Sequence, residues 1–374
     1  MNTVTAAAVL EKTALPLPLP LPLPYARRTP MTTPSTWTAR ELAADPSWIY
    51  ELSAAEIAEL ERAMLQVKRS GIPQYEVRSR DFPLPTLAPR LAAMWDQIED
   101  GRGIALMRGV PVQRYDLDDI ELLYWGIMMH FGIAIPQNTK GDLLGHVHDS
   151  GNQWGERKNG ELVRGYLTNA LLPFHTDTAD IVSLLCVQKS KSGGLSSIVS
   201  SMAIFNAILR DEPDVLDTLF RGFHYSLRGE GNGGVTEVSS YPVPVFAEYA
   251  GKLAGRYIRK TIETASRVGG VELRADDLRA LAVVDRYTVH PELRFDMAFE
   301  PGDIQILSNW TTFHSRTEFE DYEEPALKRR LLRLWQQVPH GRELAPPLRS
   351  PFGVKSPFLT RAPAMAREGL AAAA

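Results

Sequence analysis

One cysteine among 374 residues, Cys186, has no partner of its own kind, so an intrachain disulfide and a thiolate metal cage are both excluded. It lies in the apolar run 181–187, where an inert buried thiol is expected, and a reducing, cytoplasmic setting suits it. Charge of one sign is lacking too. Lys plus Arg number 41 against 45 Asp plus Glu, a net charge of -4, which offers no basic field to nucleic acid and no acidic tail. No uninterrupted apolar run reaches the roughly 18 residues that a membrane span needs. The stretch Leu15 to Pro24 is apolar, but its alternate prolines forbid a helix and hold it in extended polyproline II form. No basic region precedes it, so it does not read as a signal peptide. Residues 1–34 are expected to be a disordered Leu-Pro-rich leader, with Met31 a conceivable alternative start. No internal repeat is visible.

What is present is a hydrophobic fraction of 44%, ample for one large domain or two smaller ones. Thr38-Ala-Arg-Glu41 and Ser53-Ala-Ala-Glu56 are capping-box patterns that open amphipathic stretches, so residues 35–100 should be mostly helical. Gly103 to Gly109 reads as a buried strand, and Leu117 to Phe131 as a helix with Ile120, Leu123, Ile127 and Phe131 on one stripe. Strand signals then recur at 164–168, 174–187, 195–200, 243–246, 256–259, 294–299, 304–307 and 328–336. Helices are expected at 202–209, 214–220 and 275–284. The order implies an α+β chain with a mainly β core: a double-stranded β-helix, or jelly roll, with N-terminal helices and an α-helical lid insertion at 202–300. Residues 35–345 are then a single domain, and 346–374 a C-terminal tail.

His175-Thr176-Asp177 offers a neutral nitrogen ligand and an anionic oxygen ligand two residues apart. On an extended strand, the two side chains share a face while Thr176 points away. That is half of the two-histidine, one-carboxylate triad of non-heme Fe(II) oxygenases, which leaves three coordination positions open. Alone, the tripeptide is weak evidence, since a satisfied polar pair at a strand end looks the same. A second histidine must come from a neighbouring strand. Among the eight histidines, His314 follows Glu300-Pro-Gly-Asp303 and the apolar run 304–307, a turn and strand that would return it to the core. Beyond it, strand parity places Arg329, Leu331 and Arg333 on one face. At about 3.3 Å rise per residue, the two arginine stems stand roughly 13 Å apart, a spacing that serves two neighbouring anions. A solvated basic strand edge is the competing reading.

The order His175-x-Asp177, Gly193-Gly194-Leu-Ser196, Pro301-Gly302-Asp303, His314-Ser-Arg316, then Arg329 and Arg333, resembles the taurine dioxygenase/TfdA family of Fe(II)- and 2-oxoglutarate-dependent oxygenases, relatives of clavaminate synthase. The resemblance runs in order over residues 35–340. It implies that His175, Asp177 and His314 hold Fe(II), that Arg329 grips the distal carboxylate of 2-oxoglutarate, and that Arg333 sits near the iron, within reach of an anionic substrate. Ser196 stands where the family often has threonine, and its hydroxyl is suited to the same hydrogen bond to 2-oxoglutarate. The implied reaction uses O2 and couples decarboxylation of 2-oxoglutarate, to succinate and CO2, with hydroxylation or a related C–H oxidation. Related halogenases carry a small residue at the position of Asp177, so its presence points to oxygenation.

Two rival readings place another function on these residues. His146-Val-His148 could belong to a cupin-type site, but the positions where a cupin wants glutamate are Asn152 and Gln153. A zinc-dependent or non-catalytic small-molecule-binding protein would also use two histidines and a carboxylate, yet it leaves the arginines without a task. The partner is a small molecule, with no nucleic acid and no membrane; a homo-oligomer is the habit of the family. Asn309, Trp154, Tyr225 and Phe295 are expected to face the substrate with Arg333. The segment 228–234, rich in glycine, is read as a flexible lid because it matches no phosphate-binding spacing.

Overall fold

The computed structural model describes residues 25–349, apart from 139, 159–160, 229–233 and 235. Both capping boxes form: Thr38 starts the helix Ala39–Ala44 and Ser53 starts Ala54–Ser70, each with its glutamate closing back on the cap backbone. These helices, with Ala88–Glu99 and Leu117–Met128, precede or interleave with a seven-stranded sheet. Its order is Ile49–Glu51, Ile104–Arg108, Ile304–Ser308, Ile181–Gln188, Arg330–Gln337 and Ile133–Ala134, with Leu144–Val147 also pairing with Arg330–Gln337. A four-stranded sheet runs Phe295–Met297, Ser196–Ser200, Thr312–Arg316 and Leu172–His175.

Strand parity explains the layers. Ala105 and Met107 face the N-terminal helices together with Ile304, Ile306, Leu332 and Leu334. Ile104 and Leu106 face the other way, into a core shared with Ile198 and Met297 of the smaller sheet. The outer face of that smaller sheet, through Val199 and Phe313, packs under the helices Ser201–Asp211, Leu216–Arg221 and Ala275–Thr288. The chain is thus a mixed α/β structure in which a large sheet and a small sheet share one core, helices cover the large sheet, and the insertion covers the small one.

Several local expectations are corrected. The run 174–187 is two strands, because the chain leaves Leu172–His175 at the metal motif and re-enters the other sheet at Ile181. Residues 164–168 hold a single 3-10 turn, Gly165–Leu167. Positions 256–259 lead into an unexpected helix, Arg259–Gly269, whose polar exposed face disguised it. The insertion also ends earlier than 300, since Phe295–Met297 belongs to the four-stranded sheet. Residues 25–34, expected within the leader, pack against the insertion instead. Met31 is buried, its N–H donates to Asn206 Oδ1 at 2.7 Å, and Asn206 Nδ2 donates back to its carbonyl at 2.8 Å. Leu348, in the expected tail, is buried as well. Leader residues 1–24, tail residues 350–374 and most of the glycine-rich segment lie outside the described residues. Among the described residues, no helix is long and apolar enough to cross a membrane.

Candidate active site

His175 is the last residue of its strand and pairs in register with His314 on the neighbouring strand. Asp177 falls just past the strand end, so strand alternation is not what aims it. Its backbone N–H donates to Asn309 Oδ1 at 2.9 Å, which fixes the turn. The result gathers one ligand atom from each of His175, Asp177 and His314 within 4.8 Å of one another. Ring centroids of the two histidines lie 4.4 Å apart, and His314 Nε2 is 3.5 Å from Asp177 Oδ2.

The polar atoms here suit a divalent metal. Asp177 Oδ2 is buried without a hydrogen-bond partner, an expensive state for a carboxylate oxygen unless something positive binds it. His175 Nδ1 lies 2.8 Å from the Pro173 carbonyl, so it carries the proton and leaves Nε2 with a free lone pair. Burial, aided by the neighbouring His314, pushes the His175 pKa down to about 4, so the ring is neutral at neutral pH and able to ligate. Burial opposes ionisation of Asp177, but the close approach of the His314 ring and the charge of Arg333 outweigh it and hold the carboxyl well below the usual range. Two imidazoles and one carboxylate form a hard-to-intermediate donor set with no thiolate, as ferrous iron prefers.

The triad opens on a solvent-connected cavity lined also by Tyr166, Ser196, Phe299, Arg316, Arg329 and Arg333. Parity along the strand Arg330–Gln337 holds as expected: Arg329, Leu331 and Arg333 all reach the cavity. Arg329 is buried, its Nη1 has no hydrogen-bond partner, and burial lowers its pKa to about 10. Gly193 and Gly194, both left-handed at φ 70° and 67°, make its berth. A Cβ on Gly194 would stand 3.1 Å from Arg329 Nε and 2.8 Å from Ser190 Oγ. Ser196 lines the cavity, where its hydroxyl donates to Gln305 Oε1 at 2.9 Å. Arg333 donates from Nε to Gln137 Oε1 at 2.7 Å and stacks 4.4 Å from the Tyr166 ring centroid.

Other expectations fail here. Asn309 is absent from the cavity wall and acts through the Asp177 backbone. Tyr225 is fully buried inside the insertion, its hydroxyl 3.4 Å from the Arg256 carbonyl. Trp154 lies under the Lys260 ammonium, 3.4 Å from its ring centroid, and Phe295 packs edge-on against Trp48. An aromatic side chain looks alike in sequence whether a core or a ligand will cover it. Among the described residues, His146 and His148 join no metal cluster; His146 Nε2 approaches Glu121 at 3.3 Å instead.

Sequence reasoning gave Arg316 no role. It is buried, its Nε and Nη1 lack partners, and burial followed by the charge of Arg329 lowers its pKa to about 9. Its guanidinium lies 4.8 Å from the Phe319 ring centroid while that of Arg329 lies 5.0 Å from the same ring. The signal was available: Arg316 is two residues after His314 and so shares its strand face.

A family model described as taurine catabolism dioxygenase TauD, TfdA family, matches residues 68–335. FR-33289 synthase of Streptomyces rubellomurinus is 31% identical over 317 residues, spanning 84% of this chain and 92% of that protein. The taurine hydroxylase-like protein SAT17 of Stachybotrys chartarum is 30% identical over 309 residues, spanning 80% and 78%. Among solved structures, an asparagine oxygenase in complex with Fe(II), 2S,3S-3-hydroxyasparagine and succinate superposes with a TM-score of 0.61 at 17% identity, covering 77% of this chain and 93% of its own, a likeness of fold.

Proposed function

Since the chain belongs to the TauD/TfdA family of dioxygenases, we propose that His175, Asp177 and His314 are its iron ligands, that Arg329 anchors 2-oxoglutarate, and that Arg333 faces the primary substrate. The enzyme is a non-heme Fe(II)- and 2-oxoglutarate-dependent dioxygenase. Bound there, the iron and 2-oxoglutarate supply O2 activation, with release of succinate and CO2 and oxidation of a substrate C–H bond. The protein's own residues do the rest. Arg329 and Arg316, stacked about Phe319, offer the distal carboxylate partnerless nitrogens in a buried setting, Nη1 of Arg329 and Nε and Nη1 of Arg316, while Arg316 Nη2 is tied to the Ala170 carbonyl; a charge-assisted hydrogen bond is strong there. Ser196 can turn its hydroxyl from Gln305 to the same group. Gln137 and Tyr166 hold Arg333 over the cavity, where it suits a small anionic substrate. Taurine, which the family and the Stachybotrys relative carry in their names, is such a compound through its sulfonate.

The observation that carries the assignment is the converging triad with an orphaned Asp177 oxygen, in a cavity that two buried arginines with partnerless nitrogens also line. With Asp177 in place, the site favours oxygenation over halogenation. The paired sheets read as a double-stranded β-helix, with 35–345 as one domain and the insertion as its cover; a reducing cytoplasm suits both ferrous iron and the buried Cys186. Anaerobic addition of Fe(II) and 2-oxoglutarate should give a weak visible charge-transfer band. Asp177→Ala and His314→Ala should each lose iron and depress succinate formation by more than about 100-fold, beyond what loss of a supporting residue costs. Zinc in the purified protein, with no succinate formed under air, is the outcome that defeats the assignment.

A further inference from the structure

Between the strands Leu172–His175 and Ile181–Gln188 the chain carries Asp177 around a turn, and Asp180 is the last residue of that turn. Ile181 stands between Ser308 and Gln336 in the large sheet, and Asp180 extends both pairings by one residue. Its N–H donates to the Gln336 carbonyl at 3.0 Å, and its carbonyl accepts the Asn309 N–H at 3.0 Å. The side chain then reaches past each neighbour. Oδ1 accepts from Trp310 Nε1 at 3.1 Å, and Oδ2 accepts from the Val338 N–H at 2.8 Å. Asp180, Asn309, Trp310 and Val338 are all buried, where a donor that loses its acceptor bears the full cost of its desolvation.

The three segments joined in this way are the ones that furnish the site. The first is the turn of Asp177 itself. Residues 309–311 connect Ile304–Ser308 to Thr312–Arg316, the strand of His314, and Val338 follows Arg330–Gln337, the strand of Arg333. Asn309 also closes a ring: its N–H is held by the Asp180 carbonyl while its Oδ1 accepts the Asp177 N–H at 2.9 Å. A ring made of four chain residues and two buried hydrogen bonds has little conformational freedom to lose when a ligand binds.

We propose that Asp180 is a positioning residue for the metal centre: it fixes Asn309 and, through it, Asp177, and ties their turn to the strands of His314 and Arg333, so that the ligands are set before the metal binds. The role needs a carboxylate. Asparagine would accept one of the two N–H groups and turn its own amide N–H toward the other, leaving Trp310 or Val338 without an acceptor. The inference rests on the reading of His175, Asp177 and His314 as the iron ligands.

The test is anaerobic Fe(II) titration of the metal-free full chain, well below the Tm of each variant. Asp180→Asn should weaken Fe(II) by about tenfold, the lower end of what supports of a metal ligand contribute, while the 2-oxoglutarate concentration that half-develops the charge-transfer band at saturating iron stays unchanged. A general loosening of the fold would move both. The double variant Asp180→Asn/Asn309→Ala should bind Fe(II) no more weakly than the worse of its two single variants, because both break one chain of contacts. Trp310→Phe removes only the indole donor and keeps an aromatic ring in the core; it should show a smaller loss of the same kind, and it decides the matter if Asp180→Asn does not fold. Unchanged Fe(II) affinity in a folded variant, even with a lowered Tm, or losses that multiply in the double variant, overturns the inference. An unmodified protein that takes up no Fe(II) defeats the ligand reading itself, and the role of Asp180 falls with it.

Discussion

Asn309 accepts the backbone N–H of Asp177 through Oδ1 at 2.9 Å, across 132 residues of sequence. The carboxylate is therefore placed by the end of a strand in the large sheet, not by its own strand. Asn309→Ala should leave the fold in place but lower iron affinity by about 10- to 100-fold, the usual cost of removing a residue that orients a ligand. Iron titration of the metal-free protein measures it; unchanged affinity would show that the turn holds Asp177 by itself.

Arg329→Met and Arg316→Met should each weaken 2-oxoglutarate binding by about 1.5 to 3 kcal/mol, roughly 10- to 150-fold, with iron content unaltered. Pyruvate, which lacks the distal carboxylate, should bind the unmodified and variant proteins alike. If Arg316→Met matches the unmodified protein for both acids, Arg329 works unaided.

Gly194→Ala should reproduce part of the Arg329 defect without touching a charge. The left-handed backbone at φ 67° costs alanine about 1 kcal/mol, and the new methyl meets Arg329 Nε at 3.1 Å. A lowered Tm together with weaker 2-oxoglutarate binding is expected. A drop in Tm alone would mean that the guanidinium slides aside.

His130 Nε2 lies 2.9 Å from the Phe82 carbonyl, and burial lowers its pKa below the ordinary histidine value. The unfolded chain then takes up a proton near pH 6.5 that the folded chain refuses. Stability is full above that pH and falls as pH drops below it, by up to about 1.4 kcal/mol per unit for this one group. The urea midpoint should decline from pH 7 to 5.5, with a shallower slope in His130→Gln. Parallel slopes would assign the acid sensitivity to other groups.

The metal motif and the later histidine were legible from their residue types and order, although Asp177 lies past its strand end and is aimed by another contact. The arginine face was legible because it depends on spacing along one strand, where a period of two is a local property. Capping boxes were legible for the same reason, since Ser53 and Glu56 need only each other. The sequence by itself thus determined which residue types could hold iron and 2-oxoglutarate, and that the Arg329 face would be shared with Arg333. Tertiary structure alone decided what supports them: Asn309 under Asp177, Gln137 on Arg333 from 196 residues away, Phe319 between two arginines, and Arg256 opposite Asp177 through a segment that sequence read as a strand of its own. The same holds for Tyr225 and Trp154, which packing drew into the insertion and under Lys260. These contacts join distant parts of the chain, and their energies arise from burial and charge once the sheets and insertion close around them, so no local period announces them.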